Sequence, residues 1–157
     1  MNGSLSRDTG SDQVDTIEEL ENALSRYDVP LDNLSLKQAE AARRLGELAM
    51  LPPNWDSYGS PPPSRIAVET IMDLLPRIDD RNLPSVRIVP VSGGGVQLEW
   101  RMSDREFQLE IAADGTAQYL LIENGRPQRE EEVHPTAHQI RPLLRWLISR
   151  TAQRLAA

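Results

Sequence analysis

Two histidines four residues apart follow a run of glutamates near the end of the chain. His134 and His138 stand behind the glutamates at 130–132, and a His-x3-His pair on a helix can chelate a divalent metal with a carboxylate as third ligand. Pro135 directly follows His134 and disfavours helical geometry there, so His134 is expected at or before the helix cap. The sequence therefore favours two surface histidines, and we expect neither a metal nor a cofactor.

Carboxylates are the second group of side chains that could do chemistry. Glu99, Glu106 and Glu110 share the polar face of neighbouring predicted strands with Arg101, and a pair of carboxylates there could resemble a glycosidase site. Alternation of polar and apolar residues produces the same arrangement in any half-solvated sheet. Asp56 is expected to hydrogen-bond its own backbone in an Asx-turn. We therefore predict no catalytic residue and no enzyme.

Composition narrows the classes of function. The chain has 157 residues, no cysteine and a net charge of −7, which fits one domain without thiol chemistry, disulfides or cysteine-ligated metals. The negative charge argues against general nucleic-acid binding. No apolar run approaches the ~20 residues of a membrane helix, and the first residues lack the apolar core of a signal peptide. We expect a soluble, cytoplasmic protein that does not enter a membrane.

The segment 51–63 is the strongest indication of binding. Its sequence, Leu-Pro-Pro-Asn-Trp-Asp-Ser-Tyr-Gly-Ser-Pro-Pro-Pro, places two aromatic residues between prolines that restrict the backbone. A stiff loop of this kind presents a fixed contact surface. We expect Trp55 to be the buried anchor of the loop and Tyr58 to be exposed to a partner.

Local patterns predict one α+β domain over 14–157 behind a disordered tail over 1–13. Capping boxes and apolar spacing predict helices over 15–26, 35–50, 64–75 and 135–155, with Pro76 ending the third. Alternation predicts strands over 86–91, 96–101, 106–111 and 117–122. They should form a four-stranded antiparallel meander, with the C-terminal helix packed on its apolar face. Within this sheet, Trp100 should lie nearly opposite Phe107, and the glycines 93–95 should form a hairpin turn.

The C-terminal helix is basic and carries a tryptophan on its polar side. It has arginines at 141, 145, 150 and 154, and no acidic residue occurs over 133–157. We expect this basic helix to dock on the acidic remainder of the chain. The alternative is that its basic face binds a partner or nucleic acid. Trp146 falls about 130° from the centre of the apolar arc. A cation–π pair with Arg150, packing on an N-terminal helix, or a protein interface would each give this ring a partner, and we favour packing on an N-terminal helix.

Two motifs of the chain are specific in their spacing. Asn-Trp-Asp-Ser-Tyr-Gly at 54–59 with its prolines, and Gly-Gly-Gly-Val-Gln-Leu-Glu-Trp at 93–100, resemble the N-W-D-x-Y-G-x-x-P loop and G-G-x-x-L-E-W strand of small, functionally uncharacterised bacterial proteins. The resemblance covers 51–122. It implies a bacterial, cytoplasmic, stand-alone protein and supplies no catalytic residue.

These observations predict a non-enzymatic protein-binding module. Its partner would be a bacterial protein encoded nearby, in an antitoxin, immunity or accessory role, and the predicted partner-binding residues are Tyr58, Asp56, Trp146 and Arg150. One alternative is a metal-dependent or carboxylate-based hydrolase. The other is a nucleic-acid-associated regulator that uses the arginines of the C-terminal helix.

Overall fold

The computed structural model describes residues 34–155, with side chains up to Ser149. The predicted tail over 1–13 and the predicted helix over 15–26 lie outside the described residues. Within these described residues, three helices and one sheet follow in the order α1 (Leu36–Ala49), α2 (Arg65–Leu74) with a 3-10 turn (Leu75–Arg77), β1 (Arg87–Val91), β2 (Gly95–Met102), β3 (Arg105–Ile111), β4 (Ala117–Glu123), β5 (Arg126–Val133) and α3 (Ala137–Leu155). The predicted α+β class is confirmed.

The first two helices begin at the predicted caps. The Ser35 side chain accepts a hydrogen bond from the Gln38 amide, and the Gln38 side chain accepts one from the Ser35 amide, which completes a capping box. Ser64 caps α2 in the same way through the Ala67 amide. Helix α2 stops before Pro76, whose missing N–H leaves a short 3-10 turn instead of a further helical turn.

The sheet has five antiparallel strands in the order β1-β2-β3-β4-β5, so the predicted four strands were one too few. Strand β5 was missed because seven of its eight residues are exposed and no apolar alternation marks it. The signal that could have found it is the Asn124-Gly125 pair before it, which turns with φ of 53° and 73°. Two positive φ values fit a type I′ hairpin, for which Asn-Gly is the preferred sequence.

One face of the sheet forms the core. Trp100 lies opposite Phe107 across β2 and β3, and their rings stack with centroids 5.3 Å apart and planes 8° apart, which confirms the predicted pair. Tyr119 on β4 meets Phe107 edge-on, with centroids 6.4 Å apart. This aromatic row joins the aliphatic side chains of all three helices in one buried cluster.

The helices differ in which strands they contact. Helix α1 contacts β1, whereas α2 and α3 both contact β2 and β3. Helix α3 contributes Ile140, Leu144 and Leu147 to the core. None of the helices within 34–155 is long and apolar enough to cross a membrane.

Candidate functional site

The loop over 51–63, termed the aromatic loop, has an unusual backbone. Asn54 and Ser57 have φ of 63° and 65°, and Gly59 has φ of 87°. Left-handed geometry is sterically costly for residues other than glycine, although asparagine tolerates it better than most. Such conformations persist only where surrounding contacts over-determine them. The loop must therefore be held by specific interactions.

Asp56 supplies four of those interactions. Its Oδ1 accepts hydrogen bonds from the amides of Tyr58 and Ser60, at 3.0 and 3.1 Å, and its Oδ2 accepts from the hydroxyls of Ser60 and Ser92. These four donors match the roughly four acceptor sites of an ionised carboxylate. The Asx-turn predicted for Asp56 is confirmed, and its carboxylate is engaged by its own loop and by one residue of the β1–β2 turn.

The same hydrogen bonds lower the pKa of Asp56 to about 2. The bond from the Ser60 hydroxyl is the main cause; partial desolvation opposes it, and the amides of Tyr58 and Ser60 and the Ser92 hydroxyl add to the lowering. Hydrogen bonds donated to a carboxylate stabilise its charged form. The hydrogen bonds that hold the loop therefore depend on the ionised carboxylate of Asp56.

Acid should remove the contribution of Asp56 to stability. Because the folded pKa lies below the ordinary value of 3.8, the contribution is complete above that value and is lost as the pH falls toward 2. We expect Asp56→Asn to be less stable than wild type near neutral pH, and the difference in free energy of unfolding to shrink in acid. Urea denaturation across this pH range measures it, with Asp73→Asn, on the exposed side of α2, as control. A difference independent of pH would contradict the assigned role.

The aromatic loop is also fixed to the sheet. The Ser64 amide donates to the Gly94 carbonyl at 2.9 Å, and the Ser64 hydroxyl donates to the Ala113 carbonyl at 2.7 Å. A Cβ at Gly94, which has φ of 92°, would lie 3.4 Å from the Pro62 carbonyl oxygen. Together with the Asp56–Ser92 bond, these contacts hold the aromatic loop and the residue that follows it against the β1–β2 turn and the turn after β3.

The two loop aromatics have different environments. The Trp55 indole N–H donates to the Pro61 carbonyl at 2.9 Å, and its ring is half-buried. Tyr58 is 93% exposed, and its hydroxyl has no hydrogen-bond partner among residues 34–149. The prediction of an exposed Tyr58 is confirmed. Trp55 is the anchored ring, although it is less buried than we expected.

Trp146 finds its partner within the chain, but the partner is Arg105 of strand β3 and not one of the N-terminal helices that we favoured. The Arg105 guanidinium carbon lies 4.6 Å from the centroid of the Trp146 ring. The guanidinium also donates to the Trp146 carbonyl and to the Ser149 hydroxyl, and forms an ion pair with Glu123 at 3.1 Å. A strand residue therefore provides the cation–π contact that we had considered for Arg150, whose side chain lies outside those described.

Two of the three carboxylates predicted on the open face of the sheet, Glu99 and Glu106, are paired across strands. Glu99 forms an ion pair with Arg87 at 3.4 Å and accepts a hydrogen bond from Gln97 at 2.8 Å. Glu106 forms an ion pair with Arg101 at 2.8 Å. Cross-strand pairs of opposite charge stabilise a sheet. This arrangement gives Glu99 and Glu106 a structural role in the sheet.

The two histidines are not on one helical face. Helix α3 begins at Ala137, so His138 is helical, whereas His134 precedes the helix and lines an open cavity of about 740 Å³ with Glu110, Asp114 and Glu132. Both histidines are exposed. The expected position of His134 before the helix is confirmed. Within the part of the chain that the structure describes, no three His, Asp or Glu side chains are grouped to hold a metal ion.

Comparison of the chain with protein-family models, with curated proteins and with solved structures gives no match. The resemblance of the loop and strand motifs to the small bacterial family therefore stays a prediction. Any function of this chain must be inferred from the geometry of the aromatic loop and of its surroundings.

Proposed function

We propose that this protein is a cytoplasmic, non-enzymatic protein-binding module whose contact surface is the aromatic loop. The observation that carries the proposal is Tyr58, 93% exposed on a loop with three left-handed residues. Strained backbone is concentrated at ligand-binding and switch regions. Tyrosine is over-represented among residues that contribute most to protein binding.

Preorganisation is the second support for the proposal. Binding is weakened by the entropy lost when loops and side chains become ordered. Here Asp56 accepts four hydrogen bonds from the loop and from Ser92, while Trp55 is tied to Pro61. The backbone that carries Tyr58 is thus ordered before a partner arrives. In this proposal Asp56 positions the surface, and Tyr58 makes the contact.

The partner we propose is a protein encoded near this one, which this module would accompany as an antitoxin, an immunity protein or an accessory subunit. A phenol ring with a free hydroxyl suits a protein partner, because it can bury its apolar body and still donate a hydrogen bond. We leave Trp146 out of the proposed surface, since Arg105 already occupies its ring face. The partner-binding role of Arg150 remains a prediction.

Removal of the Tyr58 ring should weaken partner capture without unfolding the protein. Tagged wild type and Tyr58→Ala are expressed at native level in the source bacterium, and captured proteins are quantified by mass spectrometry. We expect the partner signal to fall at least about fivefold, which corresponds to ~1 kcal/mol of binding energy. Leu36→Ala is the matched control, because Leu36 is another large apolar residue that is 86% exposed, but on α1.

Thermal melts accompany the capture experiment. Since Tyr58 is so exposed, the melting temperature of Tyr58→Ala should stay close to that of wild type. Equal capture by wild type and by a folded Tyr58→Ala would show that the aromatic loop is only a structural element. A loss of capture in Leu36→Ala as large as that in Tyr58→Ala would also contradict the proposed surface.

A further inference from the structure

A groove lies between helix α3 and the segment that follows α2. It has a volume of about 220 Å³ and is termed the basic groove. Its floor is apolar and consists of Ile78, Leu83, Leu144 and Ile148. Its rim is basic and consists of Arg77, Arg141 and Arg145. None of these residues belongs to the aromatic loop, so the basic groove is a separate surface.

The positive charge of the rim is largely uncompensated. Arg141 and Arg145 are exposed and form no ion pair with any residue that the structure describes. Arg77 pairs with Asp73 at 3.3 Å, but both side chains are more than half exposed, so the pair neutralises little in solvent. Asp79, the acidic residue of the wall, is itself paired with Arg81 at 2.6 Å. An apolar floor below a basic rim fits an acidic amphipathic segment.

The chain contains such a segment in its own sequence. Over 15–26, three apolar residues recur at helical spacing, and at 100° per residue they fall within an arc of about 60°. They are Ile17, Leu20 and Leu24. The segment also has four carboxylates, Asp15, Glu18, Glu19 and Glu21, against one arginine, Arg26. Its apolar stripe and its charge are complementary to the floor and to the rim.

The described part of the chain begins next to the basic groove. The Ser35 hydroxyl donates to the Asp80 carboxylate, and the Lys37 amine donates to the Leu83 carbonyl at 2.6 Å. Leu83 is itself part of the groove floor. The seven residues over 27–33 could span at most about 23 Å if fully extended. This length puts the acidic segment within reach of the groove.

We propose that the basic groove binds the acidic segment 15–26 of the same chain. The short connection gives the segment a high effective concentration at the groove, so modest contacts are sufficient for binding. An acidic amphipathic helix of another protein would then compete with the segment for one site. This role is independent of the aromatic loop and of the partner proposed for it.

A spin label in the acidic segment tests this proposal in the full chain. Because the sequence has no cysteine, Asn22→Cys gives a single labelling site, and at helical spacing this site lies opposite the apolar stripe. We expect the methyl signals of Ile78, Leu144 and Ile148 to lose most of their intensity. The methyl signal of Leu120, which belongs to the open face of the sheet, should keep its intensity.

Charge reversal provides the matched control. Arg141→Glu with Arg145→Glu should restore the groove signals, whereas Arg43→Glu with Arg126→Glu, the same change of charge at exposed sites elsewhere, should leave them broadened. Melts of both double variants confirm that they fold. Groove signals unaffected by the label, or equal broadening at Leu120, would overturn the proposal. A last sample mixes spin-labelled chains with unlabelled chains and observes the groove signals of the unlabelled ones. If these signals broaden as strongly as those of a labelled chain, the groove binds the segment of a second copy, and binding within one chain is overturned.

Discussion

Replacing Trp100 with alanine is expected to lower the free energy of unfolding by about 3 to 5 kcal/mol, the usual cost of removing a buried tryptophan. Trp100 is 3% exposed and stacks on Phe107, which in turn meets Tyr119. The ring also lines a small cavity with Gln38 of α1 and Ile78 after α2. Its removal therefore enlarges this cavity between the sheet, α1 and the segment that follows α2.

Urea denaturation measures this effect. The matched control is Arg101→Ala, one residue further along β2, because Arg101 is exposed and belongs to the opposite face of the sheet. We expect the control to change the free energy of unfolding by less than ~1 kcal/mol, as is usual for surface ion pairs. A denaturation midpoint of Trp100→Ala equal to that of the control would contradict the position of this ring in the core.

Replacing Trp55 with alanine should cost about 2 kcal/mol, less than for Trp100 because the ring is half-buried. The variant loses apolar contact and also the hydrogen bond from the indole N–H to the Pro61 carbonyl. That bond closes the aromatic loop across Asp56 and Tyr58. Chemical denaturation gives the difference in stability.

Tyr58→Ala is the control for this second prediction, because it removes a ring from the same loop. It should leave the free energy of unfolding within about 0.5 kcal/mol of wild type, as expected for an exposed side chain. The contrast separates the residue that holds the aromatic loop from the residue that the loop displays. If Tyr58→Ala were the more destabilising of the two, the assignment of anchor and contact would be reversed.

Features that depend on neighbouring residues were predictable. The caps at Ser35 and Ser64 are formed within three residues of sequence, and Pro76 ends a helix by its own geometry. The stack of Trp100 on Phe107 could be predicted because a short hairpin fixes the register of two alternating strands. In each case the sequence contains both partners of the interaction close together.

Strand β5 shows where local patterns fail. Its sequence, Arg-Pro-Gln-Arg-Glu-Glu-Glu-Val, has no apolar alternation, because it forms an edge of the sheet and its side chains are almost all in solvent. Charged residues and proline are typical of edge strands, where they oppose aggregation. Strand β5 is therefore stabilised by its pairing with β4, and in the sequence it is indicated by the hairpin turn that precedes it.

Of the candidate site, the local interactions could be predicted and the long-range ones could not. The turn around Asp56 is local, and the exposure of Tyr58 follows from a stiff loop. The bond from Ser92 to Asp56 joins residues 36 positions apart, and the bond from Arg105 to the Trp146 carbonyl joins residues 41 positions apart. Contacts of this kind depend on how the sheet, loop and helix are assembled, and no local pattern in one sequence indicates them.

Photocrosslinking from position 58 shows directly whether Tyr58 touches a partner protein. A photoreactive phenylalanine analogue is placed at position 58, and in a parallel sample at position 36, in cells of the source organism. We predict one discrete crosslinked product from position 58, to a protein that wild type captures and Tyr58→Ala captures more weakly, and no such product from position 36. A folded protein that gives no crosslink at position 58, or the same products from both positions, would show that Tyr58 is not the contact residue.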